Sequence, residues 1–275
     1  MDIKSAQQAK RKLSKASIES ALTDVAVTRL PQVFVFDELS SSNQWLLDNL
    51  QLLSADEMLC IADSQTSGRG RAGRGWHSPA GSNIYMSFSI TTFKLAEISS
   101  ISLVIGLALV RSLSKMGVKD LALKWPNDVL LGSKKLAGVL IEAKKHNEKT
   151  ILVVGVGINV DMPADLNLQS ELAWADLSQA GLSAADRSDI VAHVYSECEQ
   201  LVGRFMEKGF SSLREEWESY DAFMGKAVNV INNNEVLCEG EESGLDDHGR
   251  LLVKTDVGVK AIHSGDVSLR VKHES

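Results

Sequence analysis

The chain has 275 residues, of which 44% are hydrophobic and 24% charged, values typical of a globular protein with one large and one small domain. Its formal net charge of −7 disfavours a general nucleic-acid-binding protein, because phosphate backbones select for basic surfaces. Three widely spaced cysteines without a Cys-x-x-Cys pair, and a polar N-terminus without an apolar signal region, indicate a cytoplasmic protein with reduced, buried thiols.

The first part of the chain predicts a mixture of helices and strands, beginning with polar residues 1–30, which predict one or two short helices. Strands are predicted at 33–36, 57–63 and 83–90. The serines at 40–42 provide N-cap oxygens for a helix between the first two strands. Residues 97–116 predict a long buried helix that ends at Gly117, and their apolar run at 101–110 is too short to span a membrane.

The rest of the chain predicts short strands, a long helical segment and a small β-rich region. The strands are predicted at 121–125, 128–131, 136–142 and 150–160. Residues 183–220 carry apolar side chains at helical spacing. After Gly225, short β-rich runs separated by Asn, Asp and Gly turns predict a β-barrel of SH3-like size.

These elements predict an α/β (α+β) fold, in which helices pack on one side of a mixed sheet and a small SH3-like β-barrel follows. We expect three parts: a short helical N-terminal segment, a main domain that carries the functional site, and the C-terminal barrel. Their expected bounds are 1–30, 31–222 and 223–275.

The segment SGRGRAGRGW, residues 67–76, places three arginines and four glycines between two predicted strands. Glycines allow consecutive backbone N–H groups to turn toward an anion, and arginines add bidentate positive charge. A disordered RNA-binding tract and a loop that closes over an anionic small molecule are the two interpretations. A single copy between strands, in an acidic chain, favours the closing loop.

Four further motifs carry polar groups or permit close approach of a ligand. In KWPND (124–128) the lysine can hold a phosphate and the aspartate Mg²⁺, although a surface turn with a solvated ion pair is the alternative. KLAG (135–138) places a lysine and small residues at the start of a strand, where an ordinary lysine is the simpler interpretation. A β-bulge explains GVGIN (155–159) equally well, and a helix cap explains SSN (41–43).

Together and in this order, the motifs resemble those of the bacterial biotin–protein ligases, also called biotin–[acetyl-CoA-carboxylase] ligases. The resemblance extends from about residue 31 to the C-terminus and includes SSN, Gln65 with GRGRAGRGW, SPAGSNIYMSF, KWPNDVLL, KLAGVLIE, GVGINV and SGDVSLR. GRGR-x-GR-x-W combined with KWPND and KLAG is highly specific. The resemblance implies a catalytic domain like that of class II synthetases and a small C-terminal SH3-like domain.

The resemblance also implies a two-step, ATP-dependent reaction. The biotin carboxylate attacks the α-phosphate of ATP to give biotinyl-5′-AMP, and a lysine of the biotin carboxyl carrier protein of acetyl-CoA carboxylase then attacks this mixed anhydride. Biotin, ATP and Mg²⁺ are therefore the expected small molecules. We expect a homodimer on ligand binding, no membrane association and no DNA binding.

Residues at matching positions are expected to form the site. The expected biotin contacts are Ser41, Ser42, Asn43, Gln65, Gly68, Arg69, Gly70, Arg71, Trp76, Lys135, Gly138 and Gly157. The expected nucleotide contacts are Arg71, Arg74, Lys124, Asn127, Asn159, Trp174 and Arg270. The candidate catalytic residues are Lys135, Arg71 and Arg69, and the candidate Mg²⁺ ligand is Asp128.

The basis of the assignment differs at three of these positions. Lys135 matches the lysine that bridges the biotin carboxylate and the α-phosphate. Trp174 is assigned by position alone, so that a core tryptophan is the alternative. Ser42 stands where the family commonly has threonine, and it keeps the hydroxyl group.

Two other functions remain as alternatives. A lipoate–protein ligase shares the fold and chemistry, but the GRGRAGRGW and KWPND motifs argue against it. A biotin-sensing DNA-binding regulator would need the N-terminal winged helix-turn-helix that many relatives carry, and the roughly 30 residues before the first predicted strand are too few for it. The chain is either a short form or a truncated one, and the sequence does not distinguish the two.

Overall fold

A computed structural model of the chain describes residues 13–52, 57–92, 98–146, 149–163, 173–232, 235–265 and 267–271. The strands of its larger sheet are β1 (Gln32–Leu39), β2 (Met58–Gln65), β3 (Ile84–Thr92), β4 (Leu121–Lys124), β5 (Asp128–Leu131), β6 (Lys134–His146) and β7 (Lys149–Ile158). The helices are α1 (Lys15–Thr23), α2 (Ser42–Asp48), α3 (Ile98–Lys115), α4 (Arg187–Lys208) and α5 (Ser211–Glu218). The predicted elements are therefore confirmed within the described residues, whereas residues 1–12 of the predicted N-terminal segment lie outside them.

The larger sheet is mixed, as predicted. Its strand order is β1-β2-β3-β7-β6-β5-β4. The β1–β2 pair is parallel, and the other neighbouring pairs are antiparallel. The central strands β3, β7 and β6 are paired along most of their length, which makes them a rigid platform for a site.

The helices lie on both faces of this sheet, which differs from the prediction of one face. Leu59 and Ile61 of β2 belong to the main core together with residues of α1, α3, α4 and α5. Met58 and Cys60 point to the opposite face, where they form a smaller cluster with Leu46 of α2. Because side chains alternate along a strand, an apolar strand such as β2 needs a cover on each face.

Glycines end two helical segments at the places where the backbone turns. Gly117 has a φ of +91° after α3, as its predicted C-cap position requires. Gly209, with a φ of +71°, divides the predicted helical stretch 183–220 into α4 and α5. Among the described helices, none is both long and apolar enough to cross a membrane.

The C-terminal strands form a second, wholly antiparallel sheet. They are β8 (Ala227–Asn232), β9 (Glu235–Leu245), β10 (Leu251–Thr255), β11 (Gly258–Ile262) and β12 (Val267–Val271), in the order β11-β10-β9-β8-β12. Five short strands confirm the predicted small β domain, while its exact bounds stay a prediction.

The second sheet packs tightly on the first part of the molecule. Its buried apolar residues belong to the same core as those of the larger sheet. Trp125 donates from Nε1 to the carbonyl oxygen of Gly249 at 3.1 Å, and Ser100 donates to the carbonyl oxygen of His248 at 2.6 Å. A side chain at Gly249 would strike Leu103 of α3, which is 2.6 Å from the place of its Cβ. This packing brings β12 next to the KWPND turn.

All three cysteines are buried and unpaired. Burial raises the pKa of the Cys60 and Cys198 thiols well above their ordinary value. A neutral, buried thiol is a poor nucleophile, and these cysteines therefore act as small apolar side chains. The prediction that the thiols are buried is confirmed.

Two carboxyl groups, those of the half-buried Asp221 and the buried Glu242, face each other where the two sheets meet. Asp221 lies beside β4, since its neighbour Ala222 donates its N–H to the carbonyl oxygen of Leu123 at 2.8 Å. Glu242 of β9 is completely buried. Burial, and secondarily the charge of Asp221, raises the pKa of Glu242 to about 9, so that Glu242 holds a proton at neutral pH.

We expect this pair to make stability depend on pH. The unfolded carboxyl group ionises near 4.5, whereas the folded one keeps its proton up to about 9. The stabilising contribution of protonated Glu242 to the free energy of unfolding is therefore fully present below pH 4.5, and it is lost as the pH rises toward 9. Glu242→Gln keeps a neutral group of the same shape, and its free energy of unfolding should increase relative to wild type between about pH 5 and about pH 9.

Urea unfolding at several pH values measures this difference. Glu235→Gln, an exposed substitution on the same strand, is the matched control and should follow the wild-type pH dependence. If Glu242→Gln and wild type differed by the same free energy at every pH, the protonated state of Glu242 would be contradicted.

Candidate active site

Two adjoining cavities lie between the larger sheet, the 67–76 loop and β12. The smaller has a volume of about 50 Å³ and is lined by the start of α2 and by β6 and β7. The larger, about 460 Å³, lies between the loop, the KWPND turn and β12. Both cavities are lined by Gly70, Trp76, Asn127 and Lys135. The loop and Lys135 therefore stand at the junction of two spaces.

The predicted site residues separate into these two spaces. The smaller cavity is lined by ten of the twelve positions in the first predicted set: Ser41, Ser42, Asn43, Gln65, Arg69, Gly70, Trp76, Lys135, Gly138 and Gly157. The larger cavity is lined by the whole second set and the candidate Mg²⁺ ligand: Arg71, Arg74, Lys124, Asn127, Asn159, Trp174, Arg270 and Asp128. Gly68 lines neither cavity; a side chain there would collide with the carbonyl oxygen of Trp76 and the hydroxyl of Ser78.

Hydrogen bonds join the neutral polar side chains at the closed end of the smaller cavity. The backbone N–H of Ser42 donates to Oε1 of Gln65 at 2.8 Å, and the hydroxyl oxygen of Ser42 lies 3.2 Å from the same atom. Ser87 donates to Oδ1 of Asn43 at 2.6 Å, and its oxygen lies 2.7 Å from that of Ser42. Because the groups hold one another in place, the cavity presents a preorganised set of uncharged donors and acceptors.

The start of α2 and a glycine of β7 position this polar set. Ser41 is the N-cap of α2 and accepts from the N–H of Gln44 at 3.4 Å, so that the predicted cap and the cavity lining coincide. A side chain at Gly155 would meet the carboxamide of Asn43, whose Cγ lies 2.9 Å from the place of its Cβ. The pairing of β7 with β3 and β6 continues past Gly155 and Gly157 without a shift in register, so the bulge interpretation is wrong.

The 67–76 loop folds back on itself as a short hairpin. Trp76 donates its N–H to the carbonyl oxygen of Gly68 at 2.8 Å, and Gly70 donates its N–H to that of Arg74 at 2.7 Å. The side chains are thereby directed to different places. That of residue 69 lines the smaller cavity, those of 71 and 74 line the larger one, and that of Trp76 lines both.

The indole ring of Trp76 lies on a glycine patch of the sheet. A Cβ at Gly157 would be 2.5 Å from Cε2 of the ring, and one at Gly138 would be 3.1 Å from Cζ3. The Lys135 ammonium lies 5.2 Å from the ring centroid, a cation–π distance. The indole Nε1 is buried against Gly157 and has no hydrogen-bond partner among the described residues.

Lys135 is fixed through both its backbone and its side chain. Its N–H donates to the carbonyl oxygen of Ala173, and its own carbonyl accepts from Ala175, each at 2.9 Å. Its ammonium pairs with Oδ1 of Asp128 at 2.6 Å, where the two side chains are 27% and 14% exposed. The pair is thus half-buried at the cavity junction, unlike the solvated surface pair that was the alternative for KWPND.

The larger cavity has a cationic lining that reaches the second sheet. Arg71 donates to Oδ1 of Asn127 at 3.0 Å and to backbone carbonyls before β12, among them that of Ser264. Lys124 is buried, with its ammonium 5.8 Å from the ring centroid of Phe223. Such a lining in an acidic chain suits a polyanion such as a nucleoside triphosphate.

Asn159 and Trp174 take different parts in this cavity. Asn159 is buried and donates from Nδ2 to the carbonyl oxygen of Ala175 at 3.0 Å, so its side chain positions the segment around Trp174. Trp174 itself is half-buried and lines the cavity, which contradicts the alternative of a core tryptophan.

The residues around Asp128 fit a metal ion that arrives with a nucleotide. No cluster of three His, Cys, Asp or Glu side chains suited to a metal occurs in the described part of the chain. Mg²⁺ bound to phosphates needs only one or two protein carboxylates and retains several waters. Asp128 in the larger cavity can supply one carboxylate, which it would share with the Lys135 ammonium.

Two further contacts support the site without having been predicted. Oε2 of Glu142 accepts hydrogen bonds from Nδ2 of Asn43 and Nη2 of Arg69, each at 2.9 Å. The sequence could have indicated Glu142 through the alternation of side chains along β6, which puts residues 138, 140 and 142 on one face. Arg187, buried at the start of α4, donates to Asp63 at 2.7 Å and so anchors the helix to the end of β2.

Comparison with known proteins finds a ligase family model for each of the two parts of the chain. Residues 35–159 match the model of the biotin/lipoate A/B protein ligase family, and residues 223–270 match that of the biotin protein ligase C terminal domain. The bifunctional ligase/repressor BirA of Escherichia coli (strain K12) is 35% identical over 240 residues, which are 86% of this chain and 74% of that protein.

A second relative and a solved structure are also biotin ligases by name. The biotin–[acetyl-CoA-carboxylase] ligase of Mycobacterium tuberculosis is 30% identical over 217 residues, 77% of this chain and 79% of that protein. Among solved structures, the biotin protein ligase from Aquifex aeolicus in complex with biotin and ATP is similar with a TM-score of 0.77 at 29% identity. That likeness covers 88% of this chain and 100% of that one.

The contact between the Trp76 ring and Gly157 can be tested by substitution of the glycine. Gly157→Ala should displace the Trp76 indole, because the new Cβ would overlap the ring. We expect a loss of stability of about 1–3 kcal/mol, the usual cost of overpacking, and a change in tryptophan emission that is absent when Trp76→Phe is the background.

Gly203→Ala is the matched control. Gly203 lies within α4, where a Cβ would meet nothing within 4 Å, and alanine there should stabilise the protein by about 0.5–1 kcal/mol. Urea unfolding and fluorescence spectra measure both variants. Wild-type emission and stability in Gly157→Ala would contradict the ring placement.

Proposed function

The chain belongs to the biotin protein ligase family, and we propose that it uses ATP to activate biotin as biotinyl-5′-AMP and transfers biotin to a lysine of a carrier protein. The observation that carries this proposal is the position of Lys135. Its ammonium lies where a cavity with neutral polar groups meets a cavity with a cationic lining. A cation at that junction suits the joining of two anions.

The smaller cavity suits the head of biotin, which is a urea. A urea offers N–H donors and a carbonyl acceptor but no charge, and the Ser42, Asn43 and Gln65 side chains are likewise neutral donors and acceptors. The dithiolane ring of lipoate has no such groups and would form no hydrogen bonds with these side chains, whereas the urea of biotin can bond to several of them. This argument favours biotin over lipoate.

In the first step, a carboxylate oxygen of biotin forms a bond to the α-phosphorus of ATP, and the bond from that phosphorus to the pyrophosphate oxygen breaks. Both reactants are anions, so their repulsion opposes close approach. The Lys135 ammonium, held by Asp128, can contact the carboxylate and the α-phosphate together and offset that repulsion. Arg71, Arg74 and Lys124 would hold the remaining phosphate charge.

Mg²⁺, when bound with ATP, would neutralise charge on the phosphates and on the departing pyrophosphate. Asp128 is the carboxylate of this chain that would hold it, since Asp128 lines the larger cavity and is already oriented by its pair with Lys135.

In the second step, the neutral amine of a carrier lysine attacks the carbonyl carbon of biotinyl-5′-AMP. An amide bond forms, AMP leaves, and the amine loses a proton. Water would attack the same carbon, so the adenylate must be covered until the amine arrives. The 67–76 loop, with Trp76 on the glycine patch and Arg71 bonded toward β12, is placed to cover it.

We also propose which protein accepts biotin. The name of the M. tuberculosis relative supports the biotin carboxyl carrier protein of acetyl-CoA carboxylase as the acceptor. The homodimer remains a prediction, which sedimentation with and without biotin and ATP would test. The name of the E. coli relative combines ligase and repressor, so a regulatory activity is the competing function, and adenylate synthesis distinguishes the two.

Lys135→Ala should abolish adenylate formation while leaving the fold intact. Removing one group that stabilises the reacting charges lowers turnover by at least about 100-fold. Biotin-dependent exchange of labelled pyrophosphate into ATP measures this step alone. Lys134→Ala is the matched control and should retain wild-type exchange. Lys134 is exposed, immediately precedes Lys135 and lies on the other face of β6.

Three outcomes would overturn the proposal. Near wild-type exchange in Lys135→Ala would remove Lys135 from the reaction. Exchange in the wild type that depends on lipoate but not on biotin would reassign the substrate. Binding of biotin without exchange would make the protein a sensor.

A further inference from the structure

We propose that Glu142 is a positioning residue that holds the closed 67–76 loop against the polar end of the biotin cavity. This inference rests on the proposed function for its substrate but not for its structural basis. One carboxylate oxygen, Oε2, accepts from Nδ2 of Asn43 and from Nη2 of Arg69, each at 2.9 Å. A single atom thus joins the ligand pocket to the loop that covers it.

The sheet places this carboxylate at the rim of the smaller cavity. Gly138 and Leu140 of β6 line that cavity, and Glu142 follows on the same face because side chains alternate along a strand. The side chains of Glu142 and Arg69 are 28% and 39% exposed. Since exposure weakens such a pair, its value lies in orientation more than in global stability.

Glu142 closes a path of hydrogen bonds between the two ends of the loop. Arg69, near the start, is bound to Glu142, and Ser78, just beyond the loop, donates to the carbonyl oxygen of Trp76 at 3.0 Å. Between these ends lie the side chains of Asn43, Ser87 and Ser42, and then that of Gln65. Gln65 accepts from the backbone N–H of Ser42 and is bonded to Ser78. The side chains expected to contact the biotin head are therefore the same ones that hold the loop.

The charge of Glu142 also sets the orientation of the Asn43 carboxamide. Ser87 donates to its Oδ1 and Glu142 accepts from its Nδ2, so that each end of the amide has one defined partner. Hydrogen bonds to a carboxylate are about twice as strong as neutral ones. Glu142→Gln keeps the length of the side chain but removes the charge, and its own NH₂ group can face that of Asn43 or the Arg69 guanidinium.

The test compares Glu142→Gln with wild type in biotin-dependent pyrophosphate exchange. We expect the KM for biotin to rise about tenfold, as the loss of one charged hydrogen bond implies, while the KM for ATP and kcat change less than about twofold. A merely structural role would alter all three parameters together. In the absence of ligands, amide hydrogen exchange of residues 67–76 should also become faster than in wild type.

Asp247→Asn is the matched control, since Asp247, in the turn between β9 and β10, forms a surface ion pair of similar length, 2.8 Å, with Arg214 of α5. It should leave the kinetics and the loop exchange unchanged. A cycle with Arg69→Gln provides a second measurement. If Glu142 acts through Arg69, the double variant should open the ligand-free loop no faster than either single variant.

The failure of this inference differs from the failure of the proposed function. An inactive wild type would overturn the proposed function, and the ligand-free loop exchange would still decide the role of Glu142. Unchanged loop exchange in Glu142→Gln would overturn the inference, as would equal rises in the KM values for biotin and ATP. Additive effects of Glu142→Gln and Arg69→Gln on the loop would also overturn it.

Discussion

The cross-strand pairing of Gly138 with Gly157 leaves a bare patch in the centre of the larger sheet, and the site is built on it. Glycine weakens a strand, because it has no side chain to pack and loses much backbone freedom on folding. Here the space is filled by the Trp76 ring, and beside it, over Gly155, by the Asn43 carboxamide. The loop and the start of α2 can approach the sheet closely for this reason alone.

Charge is distributed around this patch according to the reaction proposed. The end with Ser42, Asn43 and Gln65 is neutral, whereas arginines and lysines line the larger cavity. The Lys135–Asp128 pair stands between them, so that the lysine keeps one orientation before an anion arrives. Preorganised charge is effective because it does not have to reorient during the reaction.

The second sheet completes the site because it shares its core with the larger one. Gly249 allows the turn before β10 to lie against α3, and Trp125 is bonded to the same turn. Arg270 on β12 then lines the larger cavity together with the loop. A cavity formed between two packed sheets can exclude water more completely than an open groove on one of them.

Local pattern by itself determined the helices, the strands and the small β domain, since periodicity and caps are properties of neighbouring residues. The order and wording of the motifs, through their resemblance to a ligase family, identified most side chains that line the two cavities. The tertiary structure alone decided that α2 lies opposite the other helices and that Trp76 rests on glycines. It also decided the partners of Glu142 and Arg187, which are 73 and 124 residues away in Arg69 and Asp63. Such contacts depend on which elements pack together, and no short stretch of sequence contains that information.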